Sequence, residues 1–283
     1  MVSGDTSRRV WFMTGTSSGM GRGLALAALR RGDRVVATAR DTSTLDDLTE
    51  RFPGQVLTLR LDVRDEEAAR RAAETSVDAF GGIDVVFNNA GYASVGSVEG
   101  TGDRQARDMF DTGFFGVLNV MRAALPVLRR QRSGHVLQMS SLFGHVSLPA
   151  VGLVSAVKQA VNGATQAMAA ELAPLGVKFT QIEPGGLKTD FLAKWVAAET
   201  EIADYDRTVG PAMELLRNLP PEAVAEVSRA ATAIFEIVET EKPPMHLVLG
   251  GWANGIVREE LTGRIADLDN WAYLTEEYDA GSG

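Results

Sequence analysis

The stretch Thr14-Gly15-Thr16-Ser17-Ser18-Gly19-Met20-Gly21 constrains this chain more than any other. An apolar run, Val10-Trp11-Phe12-Met13, precedes it, and an Ala/Leu-rich run over residues 24–29 follows. That order reads as strand, tight turn, helix. A side chain at Gly15, Gly19 or Gly21 would block the turn, the approach of a pyrophosphate, or the contact of helix on strand. The first N–H groups and the positive dipole end of the helix then suit a phosphate anion. Away from a strand-helix junction such glycines mark only a flexible loop. Here both flanks agree, so the stretch reads as a dinucleotide-binding turn, with Thr16, Ser17, Ser18 and Met20 completing it.

Beyond this turn, strand and helix signals alternate almost to the end. Strand-like runs at 34–39, 56–61, 83–87, 135–139, 177–182 and 246–249 are separated by helical patterns near 42–52, 65–80, 103–130, 154–173 and 221–239. Asp65 is placed to cap the third helix, with Glu66 and Glu67 in its first turn. Pro221-Glu222 is placed to open the helix that runs to Glu239. Regular alternation predicts an α/β fold, a Rossmann-type doubly wound parallel sheet with helices on both faces. With no repeat or linker, 1–283 reads as a single domain. Residues 187–220 are less regular, and 251–283 form a C-terminal extension whose 258–278 stretch is expected to be helical.

Composition narrows the partners. A net charge of −9 argues against nucleic acid or an anionic membrane surface. There is no cysteine, hence no disulfide and no thiolate metal site. The three histidines, His135, His145 and His246, are scattered in sequence, so no metal site is expected. The polar N-terminus lacks the apolar core of a signal peptide, and no apolar run has the length of a membrane span. The expectation is a cytoplasmic protein that takes a small molecule.

Four motifs in order then resemble the short-chain dehydrogenase/reductase family. They are Thr14-Gly15-xxx-Gly19-x-Gly21, Asp62-Val63 after the third strand, Asn88-Asn89-Ala90-Gly91 after the fourth, and Pro184-Gly185 with Thr189 after the sixth. The resemblance covers about residues 8–191. It implies strand order 3-2-1-4-5-6-7, Asp62 and Val63 beside an adenine, Asn89, Ala90 and Gly91 supporting the ribose region, and Thr189 at a nicotinamide carboxamide. It also implies a homodimer or homotetramer through the helices at 103–130 and 154–173; Ala160, Ala164, Ala167 and Ala170 recur along the second at roughly helical spacing, though they suit a face against the sheet equally.

The end of the second strand bears on which nicotinamide nucleotide is bound. An acidic group there meets the ribose 2′-hydroxyl of NAD, whereas arginine accommodates the 2′-phosphate of NADP. The acidic position falls on Ala39, and Arg40 follows. Arginine can meet a phosphate with two parallel bonds, so the charge favours NADP(H) over NAD(H).

The family's proton-relay group of Asn, Ser, Tyr and Lys is only half matched. Ser141 and Lys158 match the serine and lysine. Val154 falls where the tyrosine belongs and Gly113 where the asparagine belongs. Valine has no exchangeable proton, and glycine has no side chain to hold the water of the relay. A positioned acid is worth about 10²–10⁴-fold in rate, so ketone reduction through the usual relay is expected to be crippled. Lys158 keeps its second implied role, binding the cofactor ribose, and Ser141 can still hold a carbonyl.

Two other side chains are candidates to handle the proton. His145 lies four residues after Ser141 and titrates in a useful range, but a packing histidine fits as well. Tyr92 begins a loop implied to border the substrate, where a wall aromatic fits too. Glu183 reads as structural or as a base near the nicotinamide. His135 and His246 open strands and are left out of the site. The resemblance also implies that residues 187–220 form a substrate lid, and Phe191, Leu192, Trp195, Val196, Met213, Leu215 and Leu216 in it suit an apolar ligand or pack against the core. The first reading is an NADP(H)-dependent oxidoreductase with a non-standard site, acting on an apolar carbonyl or alcohol. The alternatives are a non-redox enzyme (isomerase, cyclase, dehydratase or lyase) and a catalytically inactive cofactor-binding partner protein.

Overall fold

Each apolar run forms a strand in the computed structural model, which describes residues 8–280. The strands are β1 (Val10–Met13), β2 (Arg34–Ala39), β3 (Val56–Arg60), β4 (Val85–Asn88), β5 (Gly134–Met139), β6 (Val177–Pro184) and β7 (His246–Leu249). They form one sheet in the order β7-β6-β5-β4-β1-β2-β3. Every pairing in it is parallel. This is the 3-2-1-4-5-6-7 order of the expectation. The chain runs outward from β1 to β3 and then crosses back to β4. The crevice beyond the carboxyl ends of β1 and β4 is therefore the switch point where such sheets bind ligands.

Both faces of the sheet are covered, as the near-continuous apolar strands require. Side chains alternate along β1. Trp11 and Met13 join a buried cluster with Leu24, Leu29, Ile234 and Phe235, supplied by α1 (Gly19–Arg30) and α8 (Val227–Glu239). Phe12 turns to the other side and joins Val36, Val86, Val120, Leu128 and Val136. That side is covered by α3 (Glu66–Phe80), α5 (Gly116–Gln131) and α6 (Gly152–Leu172). Asp65 caps α3 as expected, accepting from Ala68 N at 2.9 Å. Gly81 ends it with φ of 87°, a left-handed conformation that favours glycine. The short helix α2 (Asp46–Arg51) joins β2 to β3.

Three elements differ from their expected form. The helix expected over 103–130 is interrupted: α4 (Asp103–Phe110) passes into a π-helical turn, Asp111–Phe115, before α5 begins. The helix expected to open at Pro221 makes only a 3-10 turn, Pro221–Ala223, and resumes at Val227, because Val224–Ala225 pairs in parallel with Gly186–Leu187 and is extended. The tail becomes helical earlier than expected, as α9 (Gly251–Asn270) and α10 (Ala272–Ala280). Within the irregular 187–220 segment, Val196–Ala197 pairs with Ser94–Val95, and α7 (Val209–Arg217) packs Met213 and Leu216 against the cluster that contains Val95. No helix among the described residues is long and apolar enough to cross a membrane.

Candidate nucleotide and substrate site

Glycine 21 shows why the turn after β1 has its sequence. A Cβ there would lie 2.3 Å from the Gly15 carbonyl oxygen and 2.6 Å from Nδ2 of Asn89. Gly15 has φ of +67°, and a Cβ on it would sit 2.9 Å from Ala90 Cα. Turn and β4 end are thus pressed together. Thr14 Oγ1 accepts from the N–H groups of Asn89 at 2.9 Å and Ala90 at 3.0 Å. Asn89 Nδ2 donates to the carbonyls of Thr14 at 3.0 Å and Gly15 at 3.2 Å. Thr16 is fixed from the other side by bonds from its N and Oγ1 to Thr38 O. The result is a glycine-lined cradle beneath the N-terminus of α1. Ser18 stands at the cap without bonding the helix through its side chain, so the first-turn N–H groups of α1 have no side-chain acceptor from it. Ser17 and Ser18 are exposed and Met20 is buried. Thr189 closes the far side, since a Cβ on Gly19 would lie 3.7 Å from its Cβ.

Arg40 follows directly on β2 and is exposed. Its guanidinium makes no hydrogen bond or ion pair among the described residues. Asp62, at the end of β3, is held by Arg64 at 2.6 Å. The hydrogen bonds from Arg64 keep its carboxyl below the usual range. The Val63 side chain is buried in the core under Gly116, where a Cβ would lie 2.6 Å away. The Val63 carbonyl accepts from Asn119 Nδ2 at 3.0 Å. Gly91 is exposed just past the cradle. Pro184 ends β6, and Gly185 N donates to Leu249 O at 3.2 Å.

The proton-relay region lies beside this cradle. Ser141 Oγ caps the short turn Leu142–Gly144, accepting from Phe143 N at 3.3 Å. Lys158, on α6, donates from Nζ to Met139 O at 3.0 Å. Burial pushes its ammonium down to about 8, because the charged form loses hydration. Val154, one turn earlier, is 7 % exposed and belongs to an apolar cluster with Val95, Met109, Val157 and Leu216. Tyr92, Trp195 and Met213 pack against the same cluster. Burial, with help from Asp108, raises the Tyr92 phenol, so it remains protonated at neutral pH. Gly113 lies in the π-helical turn, and a Cβ there would approach Val157 Cγ1 to 2.7 Å. The glycine and the valine accommodate each other, a compensation hidden in sequence because the two positions lie on different helices.

The depressed Lys158 ammonium makes a test. In the free protein Lys158 loses its proton near pH 8. Its folded value lies below the unfolded one, so stability rises with pH from about 8 toward 10.4 as the buried charge is relieved. Affinity for an anionic nucleotide falls over the same window. Lys158→Arg, which stays charged throughout, is expected to flatten that fall in a fluorescence titration.

The histidines correct the sequence reading. His246, left out of the site there, donates from Nδ1 to Glu183 Oε1 at 3.0 Å. His145 Nε2 lies 2.9 Å from Glu183 Oε2. The two rings meet edge to face, 5.1 Å apart. Scatter along the chain therefore gave no measure of distance: His246 and Glu183 are 63 residues apart. The side chain of His145, a sequence candidate for the acid, is turned to Glu183. Burial raises the Glu183 carboxyl, and the imidazoles of His145 and His246 outweigh it and hold it low. His135 lies elsewhere, buried against Thr180 at 3.0 Å, with burial pushing it down to about 4.

Comparison with known proteins agrees with this arrangement. Residues 9–200 match the family model described as short chain dehydrogenase. A fungal relative, Oxidoreductase BOA17 of Botryotinia fuckeliana, is 37% identical over 243 residues, covering 86% of this chain and 89% of its own. The crystal structure of a short-chain dehydrogenase from Streptomyces avermitilis is 36% identical, with a TM-score of 0.90, covering 97% of this chain and 100% of its own. A short chain dehydrogenase from Burkholderia cenocepacia, solved in complex with NADP, is 28% identical with a TM-score of 0.74, covering 93% of this chain and 97% of its own. The sheet order, the glycine cradle and these likenesses converge, and the chain belongs to the short-chain dehydrogenase family.

Proposed function

We propose that this oxidoreductase binds NADP(H) and interconverts an apolar carbonyl compound and its alcohol, without the tyrosine its family uses. The observation that carries the reading is the cradle formed by Gly15, Gly21 and Asn89, with Arg40 exposed at the end of β2. The missing side chains at Gly15 and Gly21 let the turn fold tightly against the end of β4, and the N-terminus of α1 above it suits a pyrophosphate. Arg40 would hold the 2′-phosphate, Thr189 the carboxamide end, and Lys158 the ribose near the nicotinamide. When bound, the nucleotide supplies or accepts the hydride. Likeness to the NADP-bound Burkholderia cenocepacia protein supports the choice of nucleotide.

The chain's own groups do the rest. Ser141 donates to the carbonyl oxygen and orients it. Tyr92, protonated and packed against the cluster that contains Val154, delivers the proton to the developing alkoxide. Val95, Val154, Trp195, Met213 and Leu216 exclude water and select an apolar substrate. On α6, Ala167 and Ala170 are exposed beside Gly163, which has open space around it. Such a smooth face suits close packing against a second copy, and sedimentation would size the assembly.

One experiment tests the reading. NADPH and NADH are titrated into wild type and Arg40→Ala, and NADPH oxidation is followed with a panel of apolar ketones. Wild type is expected to prefer NADPH. Arg40→Ala is expected to lose about 10–100-fold for NADPH only, the worth of a charge-assisted pair. Tyr92→Phe is expected to leave binding intact and lower turnover by about 100-fold or more. Equal affinity of wild type for the two nucleotides overturns the choice of cofactor, and unchanged turnover in Tyr92→Phe overturns the role of the phenol.

A further inference from the structure

Glu183 is fully buried, its side chain 0% exposed, where the carboxyl end of β6 meets β7. A buried carboxylate is costly unless its charge is compensated and both its oxygens are bound. Oε1 is provided for: it accepts from Asn162 Nδ2 at 3.2 Å and faces His246 Nδ1 at 3.0 Å. Oε2 is not. Its neighbour is His145 Nε2 at 2.9 Å, yet neither atom makes a hydrogen bond, and both are buried. The imidazole nitrogen and the carboxylate oxygen stand at ion-pair distance with no well-aligned hydrogen bond between them. That is the relation of two ligands about a common third atom. Tetrahedral ligands about 2.0–2.1 Å from one ion lie about 3.3 Å apart, so the pair opens by a few tenths of an ångström, about 0.4 Å, to take one.

We propose that His145, Glu183 and His246 form a site for one divalent transition-metal ion, with Zn2+ the fitting class. One ligand atom from each of the three lies within 4.8 Å of the others. Two imidazoles and a carboxylate suit Zn2+ or Co2+ and disfavour the all-oxygen ions Mg2+ and Ca2+. Outer partners that orient metal ligands are also present. Asn162 fixes the carboxylate, and Asn162 Oδ1 in turn accepts from Ser140 Oγ at 2.6 Å. Gln166 lies 3.1 Å from the outer nitrogen of His246. The partly exposed edge of His246, 33% accessible, is the way in for the ion and for water at its remaining positions.

The ion would tie the loop that carries His145 to β6 and β7, which the sheet already pairs. His145 belongs to the loop after β5 that carries Ser141, Glu183 ends β6, and His246 opens β7. Arg264 of α9 already grips the His145 carbonyl from outside at 2.5 Å. A metal here is a structural clamp that steadies the Ser141 loop, and it takes no part in the hydride chemistry. It stands independently of the choice of cofactor.

Tag-free full-length protein, stripped with EDTA, is titrated with Co2+, Zn2+ and Mg2+. The expected result is one equivalent of Co2+ with a visible d–d band, displacement of that band by Zn2+, a rise in Tm with Zn2+, and no response to Mg2+. His246→Gln and His145→Gln, which keep polar side chains of similar reach, are expected to lose more than about tenfold in Co2+ affinity while retaining the far-UV spectrum. Glu183→Gln is expected to abolish the band. Absence of saturable one-to-one binding, or binding that survives His246→Gln in folded protein, overturns the site and leaves a hydrogen-bonded triad. Nucleotide affinity measured on the same samples reports separately on the proposed function.

Discussion

Replacing Val154 by Tyr, together with Gly113→Asn and Val157→Ser, is expected to raise the reduction of simple ketones by about 10²–10⁴-fold, the usual worth of a positioned acid. The resemblance that identifies positions 113 and 154 implies only two of these changes. The third comes from the structure. A Cβ on Gly113 already falls 2.7 Å from Val157 Cγ1, so an asparagine cannot enter the turn until that valine is cut back. Gly113→Asn with Val154→Tyr alone is expected to lower stability by about 1–3 kcal/mol, as overpacked cores do, and to gain little activity. With serine at 157, the new phenol stands one turn from Lys158, whose charge favours the phenolate and so lowers the phenol's pKa. Steady-state NADPH oxidation and thermal unfolding of the double and triple variants separate the two effects. Adding Tyr92→Phe to the triple variant is expected to cost little, because the proton then has a better source. A folded triple variant no faster than its parent would mean that the proton is not what limits this site.

How much of this was legible in the sequence depends on the distance over which each feature is determined. The strands and the glycine turn are written locally, in apolar runs bounded by turns and in residues that tolerate no Cβ, whereas the strand order comes only with the family resemblance. The capped start of α3 at Asp65 is local in the same way. The π-helical turn at Asp111–Phe115 was not legible, because no periodicity along 103–130 marks the one place where the hydrogen-bond ladder widens. The late start of α8 at Val227 was hidden for a related reason: the pairing of Val224–Ala225 with Gly186–Leu187 is a contact between distant segments. The triad at Glu183 was hardest to see. Each member has an ordinary local reason for its place, and only the parallel register that sets His246 against Gln181, beside Glu183, brings them together. Sequence reasoning placed the residues that act through the backbone near them, and it missed the side chains that act on each other across the sheet.

The glycines of α1 allow nucleotide binding and stability to be pulled apart, since two of them are crowded by different neighbours. Gly21→Ala is expected to lower NADPH affinity by more than about 100-fold and to destabilise the protein by about 2–4 kcal/mol, an overpacking term plus lost buried hydrogen bonds. Its new methyl would meet the Gly15 carbonyl at 2.3 Å and Asn89 Nδ2 at 2.6 Å. Neither can retreat cheaply, because Asn89 Nδ2 is engaged by the carbonyls of Thr14 and Gly15. The helix must lift away from the turn, and with it the N–H groups that would face a phosphate. Gly23→Ala meets a comparable obstruction, 2.3 Å from Val227 Cγ1, but there the obstacle is a side chain on α8 at the back of the helix. That variant is expected to lose stability while holding NADPH nearly as tightly as wild type. Gly263→Ala, on the exposed α9 with nothing within 4 Å of its new methyl, is expected to gain about 0.5–1 kcal/mol from helix propensity. Thermal unfolding with and without NADPH reads all three. Should Gly21→Ala and Gly23→Ala lose nucleotide affinity in parallel, the loss would report general loosening of α1, and the cradle at Gly15 and Gly21 would have no special claim on the phosphates.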